Sequence, residues 1–422
     1  MKNTIHRLTN LWDTCLIGLA VLLFHIWNVP AVAGGMIFRK SNLAFDFDID
    51  RFASLWCKIP FQVAQNEDYY AVRHPLAVVV RVACRPMIWA GLDPYTAACG
   101  IAAVCAALSS MVAYRIARAL GVGRWLAYIY TALWAISTTS ILLGVLPETY
   151  DLALIALSYQ LLISIRWIQG RQPALAERIA VAIANFGITI TNVMFSVLTE
   201  FICRLVRQPV RRAILGTARI GATVAVIALV LSVASFLVWP VKGIDNSMGA
   251  IKQVYWSAAS AERTSERQSV GNVAWTFAAT SFVAPALGRY PSGVEDNPYL
   301  WDLRGQRYSP VGWTAVLGWL ALLLLGIAVI AKDRPLRPIW IIAIAWIAGN
   351  IALHSYWQFR DSVFLYSANS HVAFFVVALA GARWVQGRGR RSAVTYAAFV
   401  ALLTLMVALN NIPIYLQLPR LN

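Results

Sequence analysis

Charged residues are scarce in this chain. Asp, Glu, Lys and Arg together make up 13% of its 422 residues, whereas an average soluble domain contains about 25%. Hydrophobic residues reach 59%, and long apolar runs recur from one end of the chain to the other. A run of about 20 apolar residues can cross a bilayer as a helix. The composition therefore excludes an ordinary soluble domain and predicts an all-α polytopic membrane protein with the lipid bilayer as its surroundings.

Acidic residues are rarer than basic ones, 19 against 36, which gives a formal charge of +17. Such a charge can indicate nucleic-acid binding, but here the Lys and Arg residues cluster in short segments between apolar runs. This pattern orients membrane helices, with the basic segments on the cytoplasmic side. The charge distribution therefore predicts membrane insertion and argues against a nucleic-acid partner.

Cysteine is also uncommon and lacks the spacings that bind metals. The six cysteines are Cys15, Cys57, Cys84, Cys99, Cys105 and Cys203. Because most lie in or beside apolar segments, we interpret them as small packing residues. The sequence contains no GxGxxG, P-loop, HExxH or GxSxG motif, so nucleotide-dependent chemistry and serine hydrolysis have no sequence signature.

The apolar runs predict about eleven transmembrane helices. Their approximate bounds are 12–33, 94–113, 125–145, 149–166, 179–190, 191–206, 213–239, 311–331, 338–354, 368–385 and 392–410. The first run is longer than the apolar core of a cleaved signal peptide, so we interpret it as a retained span. Lys2 and Arg7 precede it, which predicts a cytoplasmic N-terminus and, after eleven spans, a C-terminus outside.

A shorter apolar segment at 76–90 contains Arg81 and Arg85 and is predicted to be a helix lying along the outer membrane interface. With this topology nearly all carboxylates face outward, and most basic residues face the cytoplasm. We therefore predict a plasma-membrane (inner-membrane) protein of the cell envelope whose functional side is periplasmic or extracellular.

Three regions follow from this topology. Residues 1–239 form an N-terminal transmembrane core that includes a first outer loop at 37–93. Residues 240–310 contain charges and aromatic residues but no apolar span, and are predicted to form a small outer cap. Residues 311–422 supply the C-terminal helices.

The first outer loop contains the densest acidic cluster. Asp46, Asp48 and Asp50 occupy alternate positions, with Arg51 beside them. In an extended segment this spacing places all three carboxylates on one face. Such a face suits a general base or a divalent cation. A solvated acidic turn is the alternative interpretation.

Basic residues in the same loop precede the interfacial helix. Arg73 and His74 come directly before Pro75, a residue typical of the first turn of a helix. Helix N-termini attract anions, and Lys58 adds a further positive charge. These residues predict a site for a phosphate-bearing group, although simple helix entry would also explain them.

Two further polar segments lie on the predicted outer side. Glu148 precedes a span, where it would act as a helix cap or accept a hydrogen bond from a sugar hydroxyl. Tyr366, Asn369 and His371 lie where the last outer loop enters a span. They would bind a polar ligand or belong to the aromatic belt at the membrane interface.

In their order, these motifs resemble those of the polytopic GT-C glycosyltransferases, which use lipid-linked sugars and include the protein O-mannosyltransferases and the lipid A aminoarabinose transferases. The matching segments are 45–51, 73–76, 147–150 and 364–367. Each motif is short, and the resemblance rests on their order and on their common predicted side. His74 is followed by one proline, where the mannosyltransferases have two.

The resemblance implies an inverting transfer of sugar from a polyprenyl-phosphate donor to a hydroxyl of a glycan, lipid or protein acceptor. Asp48 would be the general base, and Asp46 the next candidate. The departing lipid phosphate would need cationic donors. Those implied are Arg73, His74, Arg360 and Lys58. No nucleotide or metal is required, although a divalent cation at the Asp cluster is compatible with this chemistry.

Two other functions compete with this one. A transporter or flippase of a lipid-linked glycan would need ionisable residues along its path, and His25 and Glu200 are among the few within predicted spans. A membrane acyltransferase would use a histidine, here His354 or His371. The concentration of acids on the predicted outer side favours the transferase.

The first prediction concerns the general base. Asp48→Asn should abolish sugar transfer while leaving membrane insertion normal, because the amide cannot accept the acceptor's proton. Transfer measured on membranes with equal protein content tests this expectation. Full activity of the variant would assign the base to Asp46 or Asp50 instead.

Overall fold

The computed structural model describes residues 2–35, 44–45, 49, 53, 56–57, 77–238, 269–294, 297–356 and 362–421. These residues are almost entirely helical, with one two-stranded sheet. Eight helical segments among them are long and apolar enough to span a membrane. The predicted class, an all-α polytopic membrane protein, is thereby confirmed, whereas the predicted number of eleven spans is not.

The described residues form fifteen α-helices. They are α1 (Lys2–Ile26), α2 (Val29–Ala33), α3 (Ala77–Trp89), α4 (Pro94–Ala119), α5 (Arg124–Ala135), α6 (Thr138–Leu143), α7 (Thr149–Ile168), α8 (Leu175–Ile188), α9 (Val193–Leu205), α10 (Val210–Val238), α11 (Val270–Trp275), α12 (Pro310–Ile330), α13 (Arg337–Tyr356), α14 (Ser367–Gln386) and α15 (Arg390–Gln417). Those long and apolar enough to span are α1, α4, α7, α10, α12, α13, α14 and α15.

Helix α14 occupies the centre of the bundle. Its most apolar stretch is completely buried, and it packs against α7, α12, α13 and α15. Small residues permit this close packing. At Gly326 of α12, for example, an added Cβ would lie 2.1 Å from the carbonyl oxygen of Val377. The backbones of α12 and α14 therefore touch, and a larger residue at this position would push them apart.

The predicted span at 125–145 is divided into α5 and α6, with a break at Ile136 and Ser137. A distant segment satisfies the backbone at the break, since Thr139 N–H donates to the carbonyl of Ser281 at 2.9 Å. Asn411 donates to the carbonyls of both Ile136 and Phe282, at 2.8 and 2.9 Å. Non-helical backbone at membrane depth is tolerated where protein buries it in this way.

The segment that bonds to this break, residues 276–284, is inserted among the helices. It belongs to the region predicted as an outer cap. Residues 276–280 form one turn of π-helix, and Phe277, Phe282 and Val283 are fully buried among the helices. Beyond it, strands β1 (Gly288–Val294) and β2 (Asn297–Asp302) form an antiparallel hairpin. The described part of the region therefore combines a turn inserted among the helices with a two-stranded hairpin.

The predicted spans at 179–190 and 191–206 correspond to α8 and α9, which have 14 and 13 residues. At 1.5 Å per residue each is about 20 Å long, less than the hydrocarbon thickness of about 30 Å. The turn at 190–192 joins them, and Asn185 Nδ2 donates to Ser196 Oγ at 2.9 Å across the pair. Together α8 and α9 form a short helical hairpin, and neither helix alone is long enough to span the bilayer.

A disulfide joins Cys57 in the predicted first outer loop to Cys84 in α3. The interpretation of all six cysteines as packing residues is therefore wrong for this pair, while the other four are free. Disulfides persist in oxidising compartments, in agreement with the predicted outer position of the loop. Helix α3 has 13 residues and is too short to span a bilayer.

The disulfide predicts how many thiols react. Denatured protein prepared without reductant should label with maleimide at four cysteines, and at all six after reduction. Cys57→Ser should release one additional thiol before reduction, whereas the control Cys15→Ser should remove one both before and after. Mass spectrometry counts the labels. Labelling at all six positions before reduction would contradict the pairing.

Candidate functional site

Glu148 lies at the N-terminus of α7, where it caps the helix as predicted. Its Oε1 accepts hydrogen bonds from the backbone N–H of Thr149 at 2.9 Å and from the Thr149 hydroxyl at 3.1 Å. The backbone N–H of Glu148 donates in return to Asp151 Oδ2 at 3.3 Å. This reciprocal capping box holds two almost fully buried carboxylates side by side.

Asp151 was not among the predicted site residues, although it is three positions after Glu148. Its Oδ1 is buried and has no hydrogen-bond partner within the described ranges. A buried carboxylate oxygen is costly unless a donor satisfies it. The pair can therefore accept a further hydrogen bond, for example from a hydroxyl group. The capping-box spacing was the signal in the sequence that could have identified Asp151.

Tyr366 connects the late motif to the capping box. It ends a 3-10 turn at Val363–Tyr366, directly before the central helix α14. Its ring meets that of Tyr150 edge-on, with centroids 5.8 Å apart, and stacks on the ring of His354 at 3.9 Å. All three rings are buried. The segments at 147–150 and 364–367, which are distant in the sequence, are therefore in contact.

The beginning of the first acidic motif lies at the same place. Phe45 is fully buried, and its ring lies 5.7 Å from that of Phe364. Its backbone N–H donates to the carbonyl of Trp301 in β2 at 2.7 Å. Phe45, the first residue of the motif at 45–51, is therefore in contact with the late motif.

Asp302, next to Trp301, binds the strand hairpin to the late motif. Its carboxylate accepts from Arg304 Nε at 2.7 Å and from the Ser362 hydroxyl at 2.8 Å. Burial raises the pKa of Asp302, and the Arg304 guanidinium and the Ser362 hydroxyl oppose the rise. Arg304 Nη2 is buried and has no hydrogen-bond partner in the part of the chain that the structure describes. Neither Asp302 nor Arg304 lies in a motif, so no sequence pattern identifies them.

His371 lies in α14, five positions after Tyr366, and is completely buried. Its ring is packed between Phe282 and Trp134, with centroids 4.1 and 4.5 Å away. Its Nε2 is 2.9 Å from the hydroxyl of Ser137 at the break between α5 and α6. The observed contacts of His371 therefore link the central helix to the inserted segment.

The other predicted site residues lie outside the described residues. They are Asp46, Asp48, Asp50, Arg51, Lys58, Arg73, His74 and Arg360. Within the described ranges no group of three His, Cys, Asp or Glu side chains is arranged to hold a metal ion. We call the described residues that meet here (Phe45, Glu148, Tyr150, Asp151, Trp301, Asp302, Arg304, His354, Ser362, Phe364 and Tyr366) the motif cluster.

The Asp302 contact predicts a pH-dependent effect of Ser362→Ala. Burial raises the pKa of the Asp302 carboxyl in the folded protein. The contribution of this carboxyl to the free energy of unfolding is therefore greatest at low pH, and it is lost as the pH rises through the folded-state pKa. Removing the Ser362 hydroxyl raises the pKa further, so the variant should lose about 1–2 kcal/mol more at about pH 8 than at about pH 4.

Unfolding of the detergent-purified protein at the two pH values measures this difference. Ser309→Ala is the control, because the described partners of the Ser309 hydroxyl, Asn410 and the backbone of Gly312, are neutral. Its cost should be the same at both pH values. An equal cost of Ser362→Ala at both would contradict the role assigned to the charged carboxylate.

No protein-family model matches this chain, and no curated protein matches it.

Proposed function

We propose that the chain is an integral membrane glycosyltransferase of the GT-C type. It would move a sugar from a polyprenyl-phosphate donor to an acceptor hydroxyl at the end of the bundle that contains the motif cluster, the predicted outer end. The observation that supports the proposal is the meeting of three motifs from distant parts of the sequence, at Phe45, Tyr150 and Tyr366.

The proposed reaction needs a base and a stabilised leaving group. The acceptor hydroxyl gives its proton to Asp48, or alternatively to Asp46, as its oxygen attacks the anomeric carbon. The bond from that carbon to the phosphate oxygen breaks, and polyprenyl phosphate leaves with the electron pair. Attack from the opposite face inverts the configuration. Phe45, fixed against Phe364 and Trp301, anchors the start of the acidic motif beside the cluster.

The leaving phosphate requires hydrogen-bond donors that are already in position. Arg304 Nη2 is a buried donor with no partner in the described part of the cluster, and Asp302 orients its guanidinium. Arg73, His74, Lys58 and Arg360 are proposed to complete the cationic surroundings. Arg304 would therefore act with residues of the first and last outer loops on the same phosphate.

The sugar hydroxyls would be recognised by Glu148 and Asp151. Both carboxylates are buried, and Asp151 Oδ1 can accept another bond. A buried polar atom without a partner is costly, and the low polarity of its surroundings strengthens a hydrogen bond that satisfies it. The rings of Tyr150 and Tyr366 form the apolar side of the same site, which suits the apolar face of a sugar.

Turnover of purified protein with a panel of polyprenyl-phosphate sugars tests the proposal through release of free polyprenyl phosphate. Glu148→Gln should lower kcat/KM about 10–100-fold, the value of a hydrogen bond to a charged group. Glutamine keeps an acceptor for the Thr149 N–H, so the cap should survive. Glu177→Gln is the control, because Glu177 accepts a hydrogen bond from Tyr159 in the middle of α7, about 15 Å along the helix from its first residue. Equal activity of both variants would contradict the assignment of Glu148.

A flippase of a lipid-linked glycan is a second candidate, favoured by a polar network inside the bundle. Gln160 of α7 donates to Thr199 at 3.0 Å and accepts from Ser196 at 3.2 Å. Arg178 and Glu200 form a buried ion pair at 2.6 Å near the base of the same α8–α9 hairpin. Short helix pairs with polar interiors occur at transport sites. Translocation of a lipid-linked sugar in liposomes without release of polyprenyl phosphate would favour this function over the transferase.

A further inference from the structure

A cavity of about 860 Å³ opens at the end of the bundle opposite the motif cluster. Helix α7 links the two places, since Glu148 caps its beginning and Arg166 of its last turn lines the cavity. The 20 residues of α7 separate them by about 30 Å. In the predicted topology this second place is the cytoplasmic end. Its ligand is therefore separate from the proposed sugar donor.

Specific contacts hold the cavity walls together. Gln169 Nε2, just after α7, donates to the carbonyl of Ala119 at the end of α4 at 2.6 Å. The Tyr114 hydroxyl of α4 donates to Asp13 of α1 at 2.8 Å. Asp13 also forms an ion pair with Arg124 at 2.7 Å, so its charge is already compensated. The cavity is thus a fixed space between three helix ends.

Four arginines line this space: Arg115 and Arg118 from α4, and Arg166 and Arg171 from the end of α7 and the loop that follows. Among the described residues, none of them has a carboxylate within ion-pair distance. Arg118 Nε is buried and has no hydrogen-bond partner in the described ranges. The negative end of a helix dipole favours a cation near each helix C-terminus. This attraction does not explain why four arginines surround the same cavity. Their mutual repulsion would be relieved by an anion.

The rim of the cavity is apolar on one side. Leu11 of α1 contributes to the lining and is 60% exposed, and Met111 of α4 lies deeper in the same wall. An exposed leucine at the end of a spanning helix faces lipid, so the opening is continuous with the bilayer surface. Basic pockets between helices at the cytoplasmic side of a membrane suit phospholipid headgroups. The surroundings therefore favour an anionic lipid over a soluble anion.

We propose that this arginine cavity binds the phosphate headgroup of an anionic phospholipid from the inner leaflet. The planar guanidinium groups would donate paired N–H bonds to the phosphate oxygens. The acyl chains would leave the cavity beside Leu11. This site is independent of the proposed transferase reaction, and its test uses lipid binding alone.

Native mass spectrometry of the full chain in a neutral detergent tests the proposal. Wild-type protein should retain phosphatidylglycerol in preference to phosphatidylcholine. Arg115→Gln combined with Arg166→Gln should weaken retention about tenfold or more, which corresponds to a total loss of about 1.4 kcal/mol or more. The control is Arg390→Gln with Arg391→Gln, because both residues are exposed at the same end and do not line the cavity.

Inorganic pyrophosphate serves as the soluble probe in the same experiment. Wild-type selectivity for phosphatidylglycerol that is lost in the cavity variant and kept in the control supports the proposal. Equal retention by the wild type and the cavity variant would overturn it, as would an equal loss in the control. Binding of pyrophosphate without any preference among the lipids would also overturn the lipid assignment. Size-exclusion profiles that match the wild type verify that the variants are folded.

Discussion

The insertion of residues 276–284 beside the central helix is the interaction on which the rest of the structure depends. The ring of Phe282 stacks on His371 of α14 and on Trp319 of α12, with centroids 4.1 and 3.7 Å away. Its backbone carbonyl accepts from Asn411 of α15. Because polar backbone in a membrane must be satisfied within the protein, this one segment allows the break between α5 and α6 to exist.

The same constraint determines where the motif cluster forms. The break leads the chain through α6 to Glu148, and α14 begins directly after Tyr366. Thr139 of α6 and Ser367 of α14 are joined by a hydrogen bond of 2.8 Å between their hydroxyls. This bond holds the start of α14, which follows the Tyr366 motif, against α6, which leads to the Glu148 motif. The cluster is a product of the core packing and does not depend on contacts between the loops alone.

The two ends of α7 have opposite chemistry. Two buried carboxylates and three aromatic rings meet at its beginning, and four arginines surround the cavity at its end. Membrane insertion favours charge segregation of this kind, because basic residues concentrate on one side, which is the cytoplasmic side in the predicted topology. It leaves the opposite side free to concentrate acids. The proposed transfer chemistry would use the carboxylates at the beginning of α7, and the proposed lipid site would use the arginines at its end.

Local patterns in the sequence predicted local features of the structure. The apolar runs identified the helical membrane class, and the position of Glu148 indicated a helix cap as one of its two predicted roles. Contacts between distant segments could not be predicted in this way. Cysteine spacing does not determine the pairing of Cys57 with Cys84, and no local rule joins Asp302 to Ser362.

The most direct test of the account is photo-crosslinking with a polyprenyl phosphate that carries a diazirine next to its phosphate. If the motif cluster and the adjacent loops form the donor site, mass spectrometry should find labelled peptides around residues 45, 148–151, 302–304 and 362–366. Excess unlabelled polyprenyl phosphate should suppress this labelling. Labels confined to the arginine cavity, or to the lipid-facing sides of the helices, would contradict the central claim that these motifs form one donor site.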